Sequence, residues 1–310
     1  MRWSEADIPD QSGRVAVVTG ANAGLGFEIA RVLARHGAHV VLASRDPGKA
    51  KLAADRIRAE GGQSAHVRLD LASLASVRAA ATEIRATCQR LDLLINNAGV
   101  MDIPYERTED GFELTLATNH LGHFALTGLV LDRLLATPGA RVVTMSSIAH
   151  LSGVVHFDDL QSEREYQPAA AYGQSKLANL MFTYELDRRL RAQGAGVAAL
   201  AAHPGVVYTA LFKTQPRWQQ VLISPRMRLI NFWAVQSAQM GALPALRAAT
   251  SPAAQGGEYY GPWRRHHTGY PAPVQSSPRS HDEADQARLW EISERLTGVR
   301  YEIGDARTPA

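Results

Sequence analysis

The sequence predicts a single α/β domain built on a doubly wound, mostly parallel sheet with helices on both faces. Three observations carry that prediction. Short apolar runs alternate with longer helical patterns along most of the chain. The runs are near-continuous in apolar character, as strands covered on both faces of a parallel sheet are. No linker-like or low-complexity stretch interrupts the alternation, so residues 1–310 read as one unit.

Residues 1–13, "MRWSEADIPDQSG", form a polar extension broken by Pro9. The strand candidates follow in order: "RVAVVTG" (14–20), "AHVVLAS" (38–44), "AHVRLD" (65–70), "LDLLIN" (91–96), "ARVVTMS" (140–146) and "GVAALAAH" (196–203). Between them lie helical patterns such as "LGFEIARVLARHG", which Gly37 closes, and "SLASVRAAATEIRATCQR", which Ser73 opens as N-cap. Such an order implies right-handed crossovers. Residues 262–310 read as a C-terminal loop, including the Pro-rich "GYPAPVQSSPRS" (269–280), followed by a helix around "DEADQARLWEISERL".

Composition excludes several functions. Lys+Arg 33 against Asp+Glu 30 leaves a net charge of +3, too small and too scattered for a nucleic-acid partner. The lone Cys88 excludes an internal disulfide and suits a reducing cytoplasm. The N-terminus lacks the apolar core of a signal peptide, and no run is apolar for long enough to predict an integral membrane segment.

"TGANAGLG" (19–26) joins the first strand to the first helix. Gly20, Gly24 and Gly26 let backbone approach a ligand, and a helix N-terminus offers N–H groups to a pyrophosphate. The spacing G-x-x-x-G-x-G is not that of a P-loop, which needs a closing G-K-[ST]. The second strand ends in "LASRD". An acidic residue there would bind the ribose 2′-hydroxyl of NAD, whereas Ser44 followed by Arg45 suits a 2′-phosphate. NADP(H) is therefore favoured over NAD(H), although a plain surface arginine fits Arg45 too. Asp46, one place on, is free to face solvent or cap the next helix.

Tyr172 and Lys176 stand four apart in the helical segment "AYGQSKLANLMF", a spacing that puts both on one face. With "TGANAGLG", "NNAG" (96–99), "NHLGHF" (119–124), "MSS" (145–147), "YGQSK" (172–176) and "HPG" (203–205) in this order, the chain resembles the short-chain dehydrogenase/reductase family and its Rossmann fold. Within it, "TGANAGLGFE", "NHLGHFALT", "VVHFDDLQ" and the tail "LWEISERLTGV" resemble the retinol dehydrogenase and WW-domain oxidoreductase branch.

The resemblance implies an oxidoreductase that interconverts an alcohol with an aldehyde or ketone by hydride transfer to a nicotinamide. It implies a catalytic set of Asn119, Ser147, Tyr172 and Lys176. Tyr172 would be the general acid/base, needing a pKa drop of ~3 units from about 10, worth ~4 kcal/mol, which Lys176 and the oxidised nicotinamide would supply. Ser147 would polarise the substrate oxygen, with Ser146 as backbone support. Asn119 would bend its helix and hold a water relaying protons to Lys176. Gly20, Asn22, Gly24, Leu25, Gly26, Ser44, Arg45, Asp70, Leu71, Asn97, Gly99, Tyr172, Lys176, Pro204, Gly205, Val207 and Thr209 would contact the cofactor, Asn97 alternatively bracing the central strands. Homodimers or homotetramers are usual in that family. An NADPH-binding sensor or scaffold without turnover is the rival reading.

The eleven histidines do not imply a metal: His120 and His123 share a helix face with no carboxylate or cysteine to complete a site. Residues 206–240 include the apolar, aromatic and basic run 212–236, whose pattern fits a lid over a hydrophobic substrate, a dimer face, core packing or a membrane-surface helix.

Overall fold

The apolar runs become the centre of an eight-stranded sheet in the computed structural model, which describes residues 2–207, 236–264 and 267–304. The strands are β1 (Val15–Thr19), β2 (His39–Ser44), β3 (Gln63–Arg68), β4 (Leu93–Asn96), β5 (Arg141–Met145), β6 (Ala198–Ala202), β7 (Tyr259–Arg264) and β8 (Thr268–Pro273). Their spatial order is β3-β2-β1-β4-β5-β6-β7-β8. Every pairing is parallel except β7 with β8. The order reverses beside β1, between β2 and β4, so the carboxyl ends of β1 and β4 open a crevice of the kind that holds ligands in such sheets.

Helices α1 (Gly24–Arg35), α2 (Pro47–Ala59), α3 (Leu74–Thr87), α4 (Gly122–Leu129), α5 (Pro168–Ala192), α6 (Ala238–Thr250) and α7 (Glu283–Thr297) cover the two faces. One face packs Phe27, Ile29 and Leu33 of α1 and Leu246 of α6 against Val18, Val40 and Ile95. The other packs Val77 and Ile84 of α3, Phe124 of α4 and Phe182 of α5 against Val17, Leu94 and Val142. The alternation of core side chains between faces along β1 is the period-two rule of a strand. Both local signals behave as expected. Gly37 adopts φ +99 just past α1, and the Ser73 hydroxyl accepts from the Ser76 N–H at the start of α3.

The apolar-run pattern misses the last two strands. Part of the segment 269–280 expected to be loop is the edge strand β8, where Ala272 opposes Gly261 and Pro271 opposes Pro262 of β7. Prolines conceal a strand from pattern reading, yet an edge accepts them because one row of N–H groups needs no partner. Of the run 212–236, only Gln236 lies among the described residues, where it pairs with Val207. Residues 238–240 already belong to α6, packed on α1.

Candidate active site

The glycine turn is built from two different uses of glycine. Gly20 (φ +66) and Gly24 (φ +58) both need the left-handed region, and a side chain at Gly24 would meet only open space. Gly26 is a packing position: a Cβ there would lie 2.5 Å from the Gly20 carbonyl oxygen, so its absence lets α1 close on β1. The N-cap Ala23 supplies no side-chain bond, which leaves the first N–H groups of α1 for a ligand. Asn22 and Leu25 flank this turn, and half-buried Leu25 leans onto the core.

At the end of β2, Ser44 is buried and Arg45 is exposed with no hydrogen bond or ion pair to any described residue. Asp46 caps α2, accepting from the Lys49 N–H at 3.0 Å and pairing with the Lys49 ammonium at 3.2 Å. An uncapped helix terminus and an open glycine fit the pyrophosphate of a dinucleotide. Past β3, Asp70 Oδ1 accepts from the Ala72 N–H at 3.1 Å, and the Leu71 backbone packs so closely on Gly122 that a Cβ there would collide with the Leu71 carbonyl oxygen.

The Asn97 side chain braces the strands, donating to the Thr19 carbonyl at 2.8 Å. Gly99 leaves room above two polar groups: a Cβ would lie 3.0 Å from Asn119 Oδ1 and 3.5 Å from Lys176 Nζ. Asn119 sits in a π-helical turn, Ala117–Leu121, ahead of α4. Its amide accepts from the Val100 N–H at 2.8 Å and donates to the Val100 carbonyl at 3.0 Å and to Ser175 Oγ at 2.9 Å.

Ser147 follows β5 and caps a short 3₁₀ turn, Ile148–Leu151. Its side chain lies near the Tyr172 phenol, which α5 presents from its first turns. Ser146 points the other way and donates to the Lys176 carbonyl at 2.8 Å. The Lys176 ammonium lies 5.6 Å from the Tyr172 ring centre and donates to the Met145 carbonyl at 3.2 Å. Burial lowers the Lys176 pKa to about 8, so the side chain is about tenfold more often charged than neutral at pH 7. Burial pushes the Tyr172 phenol above its ordinary value, the nearby Ser147 side chain pulls it down, and the Asp102 carboxylate pushes it up. The chain's own groups therefore leave Tyr172 protonated near neutrality.

The sequence pattern does not single out the residues that lock this cluster. His123 is buried and fully desolvated, its pKa lowered to about 3. Its Nδ1 faces the Asn119 carbonyl at 3.1 Å and its Nε2 faces Thr19 Oγ1 at 2.9 Å. A carbonyl can only accept, so Nδ1 carries the proton and Thr19 donates to Nε2. The glycine turn and the Asn119 turn are thereby tied together. Beyond β6, Gly205 (φ +69) sits against the His267 carbonyl, Pro204 accepts from the Gln236 amide at 2.5 Å, and Val207 is buried against Gly241. Thr209 lies outside the described residues. Among the described residues no group of acidic, histidine or cysteine side chains could hold a metal, and no helix is long and apolar enough to cross a membrane.

The model of the family described as "short chain dehydrogenase" matches residues 14–220. The chain belongs to that family. This short chain dehydrogenase is similar to mouse Retinol dehydrogenase 12, 43% identical over 94% of this chain and 88% of that one. It is equally similar to human Retinol dehydrogenase 13, 43% identical over 96% of this chain and 87% of that one. An uncharacterized protein from Mycobacterium paratuberculosis superposes with a TM-score of 0.81 at 43% identity, covering 97% of this chain and 99% of that one. A protein described as an NAD(P)-dependent gluconate 5-dehydrogenase from Beutenbergia cavernae, with NADP bound at low occupancy, gives a TM-score of 0.62 at 30% identity, covering 79% and 92%. The short chain dehydrogenase is thus an NAD(P)-dependent oxidoreductase acting between alcohols and carbonyls, of the retinol dehydrogenase-like branch.

Proposed function

We propose that this enzyme interconverts a hydrophobic alcohol and its aldehyde or ketone with NADP(H), using Tyr172 as general acid/base. The observation that carries the reading is the Tyr172 phenol beside Ser147, with the Lys176 ammonium one helical turn along and 5.6 Å from its ring centre. The bound nicotinamide supplies the hydride acceptor or donor. Ser147 holds the substrate oxygen, where charge develops in the transition state. Tyr172 Oη gives a proton to that oxygen in reduction and takes it back in oxidation. Lys176 places a positive charge beside the phenol, which favours the phenolate formed when Tyr172 gives up its proton. The Met145 carbonyl holds the Lys176 ammonium, and the missing side chain of Gly99 leaves room beside it.

The adenosine end of the site is read from Ser44 and Arg45, with Gly20, Gly24, Asp70 and Leu71 lining the nucleotide. Preference for NADP(H) is supported by the unengaged Arg45 guanidinium and by the NADP held by the Beutenbergia neighbour. A hydrophobic substrate is supported by exposed Leu151 and Val154 in the segment that follows Ser147, and by relatives named retinol dehydrogenases. A cytoplasmic location is supported by the single free, buried Cys88.

The test follows reduced-nicotinamide absorbance while the protein meets a panel of aldehydes and ketones of graded hydrophobicity, with NADPH and NADH in parallel. NADPH oxidation that vanishes in Tyr172→Phe supports the reading. NADPH binding without turnover on any of the panel would favour the sensor instead.

A further inference from the structure

The Ser147 turn is held by a buried imidazole outside the catalytic set. His150 is 1% exposed. Its Nδ1 lies 2.6 Å from the Ser147 carbonyl oxygen, and its Nε2 receives the Ser277 backbone N–H at 3.2 Å. Each partner has a single role, the carbonyl accepting and the N–H donating. His150 must therefore be the neutral tautomer with its proton on Nδ1. The ring edge packs on Tyr259 at 5.5 Å. Tyr259 in turn packs on His203 at 5.1 Å, and His203 Nδ1 accepts from the Gly205 N–H at 3.2 Å.

Ser277 belongs to the C-terminal segment: it precedes a short 3₁₀ turn, Pro278–His281, that leads into α7. The same turn reaches the Ser147 segment a second time, with Arg279 donating to the Gly153 carbonyl at 3.2 Å. The backbone from Ser147 to Gly153 is therefore clamped from outside by residues 277–279. Clamping the Ser147 carbonyl holds its ψ at 160, and with it the backbone from which the Ser147 side chain is presented.

We infer that His150 is a positioning residue for Ser147, and that the turn at Ser277 belongs to the active-site scaffold through it. The inference rests on the proposed role of Ser147 as the group that holds the substrate oxygen. It goes beyond that role by making turnover depend on a backbone N–H 130 residues away in sequence, 277 against 147. Geometric displacement of a group that acts in the transition state lowers kcat more than it raises KM.

The test compares Ser277→Pro with Ser277→Ala in the full-length protein. Ser277 has φ −62, a value proline adopts, so Ser277→Pro deletes the N–H with little change of backbone. The Ser277 hydroxyl is buried with no partner among the described residues, so Ser277→Ala removes nothing the clamp uses. The expected result is a fall in kcat of about tenfold or more for Ser277→Pro, with KM and NADPH affinity within about twofold. Ser277→Ala stays near the parent, and His150→Leu falls with Ser277→Pro. A nitrogen-15 spectrum should show the His150 proton on Nδ1 in the parent and a displaced Nε2 signal in Ser277→Pro.

Equal kcat for Ser277→Pro and Ser277→Ala overturns the inference, as does a proton on Nε2. Ser147→Ala separates the two layers. If it turns over like the parent, the reading of Ser147 has failed, whatever the clamp does. If it is inactive while Ser277→Pro and His150→Leu are fully active, only the clamp has failed.

Discussion

The Asn119 amide donates to Ser175 Oγ at 2.9 Å, and the same hydroxyl donates to the Tyr172 carbonyl at 2.8 Å. One small side chain thus joins the π-helical turn of Asn119 to the first turns of α5, where Tyr172 sits. The Asn119 amide has both N–H groups engaged, with Val100 and Ser175, so its orientation is fixed from two elements. Ser175→Ala removes the acceptor and leaves a buried N–H unpaired, at a cost of about 1–3 kcal/mol in stability. The melting temperature should fall and kcat should drop several-fold, with NADPH affinity nearly kept. Steady-state kinetics beside a thermal melt check this, and an unchanged kcat and melting point would show that the bridge is dispensable.

Much of this architecture is legible in the amino-acid sequence, and the reasons are physical. Buried parallel strands announce themselves as apolar runs, so β1, β2 and β4 to β6 lie close to their expected places. The glycine turn is legible because close backbone approach requires glycine, yet sequence alone does not separate the open Gly24 from the packed Gly26. β7 and β8 are not legible because "YYGPWR" and "TGYPAP" carry prolines and glycines that break the alternating pattern. Asp46 is ambiguous in sequence, and the bond it accepts from the Lys49 N–H makes it a helix cap. His123 and His150 look like any of the other histidines. Their roles depend on partners, Thr19 and Ser277, more than 100 residues away, which no local pattern encodes.

The raised phenol of Tyr172 sets the sign of the pH dependence. Burial favours the neutral phenol, which is the form that donates a proton in carbonyl reduction. In the proposed mechanism alcohol oxidation needs the phenolate. Oxidation kcat/KM should therefore climb through the neutral and mildly alkaline range, while reduction holds at lower pH and declines where the phenol titrates. Tyr172→Phe should lose about a hundredfold or more in both directions, the usual scale of a general acid/base. Profiles measured in both directions decide it; a pH-independent oxidation rate would rule out phenolate as the base.

The proposed role of Lys176 sets function against stability. Its folded pKa of about 8 lies below the ordinary lysine value of 10.5, so the folded chain binds the proton less tightly than the unfolded chain. Below pH 8 both states are protonated and the full burial penalty acts. Between pH 8 and 10.5 the unfolded state holds more protons, and stability rises with pH. Lys176→Met removes the charge at similar volume. It should abolish turnover and raise the melting temperature at pH 7, an advantage that shrinks as the pH approaches about 10. Melts of both proteins across that range test the sign; a variant less stable than the parent at pH 7 would mean the bond to the Met145 carbonyl outweighs the burial penalty.

In the proposed reading cofactor choice turns on the pair that ends β2. Ser44 offers no negative charge, and the neighbouring carboxylate of Asp46 is already committed to the N-terminus of α2 and to Lys49. In the proposed reading Arg45 meets a 2′-phosphate without a competing partner among the described residues, and a guanidinium can fork onto two of its oxygens. Arg45→Asp reverses the charge. The KM for NADPH should rise by about tenfold to a hundredfold, as befits losing a charge-assisted pair and gaining a like-charge contact at an exposed site. The KM for NADH should stay level or fall, because a carboxylate there can accept from the ribose 2′-hydroxyl. Raising the salt concentration should weaken NADPH binding in the parent more than in Arg45→Ala. An NADPH-to-NADH ratio that does not move in Arg45→Asp would take Arg45 out of the phosphate site and leave NADP preference without its residue.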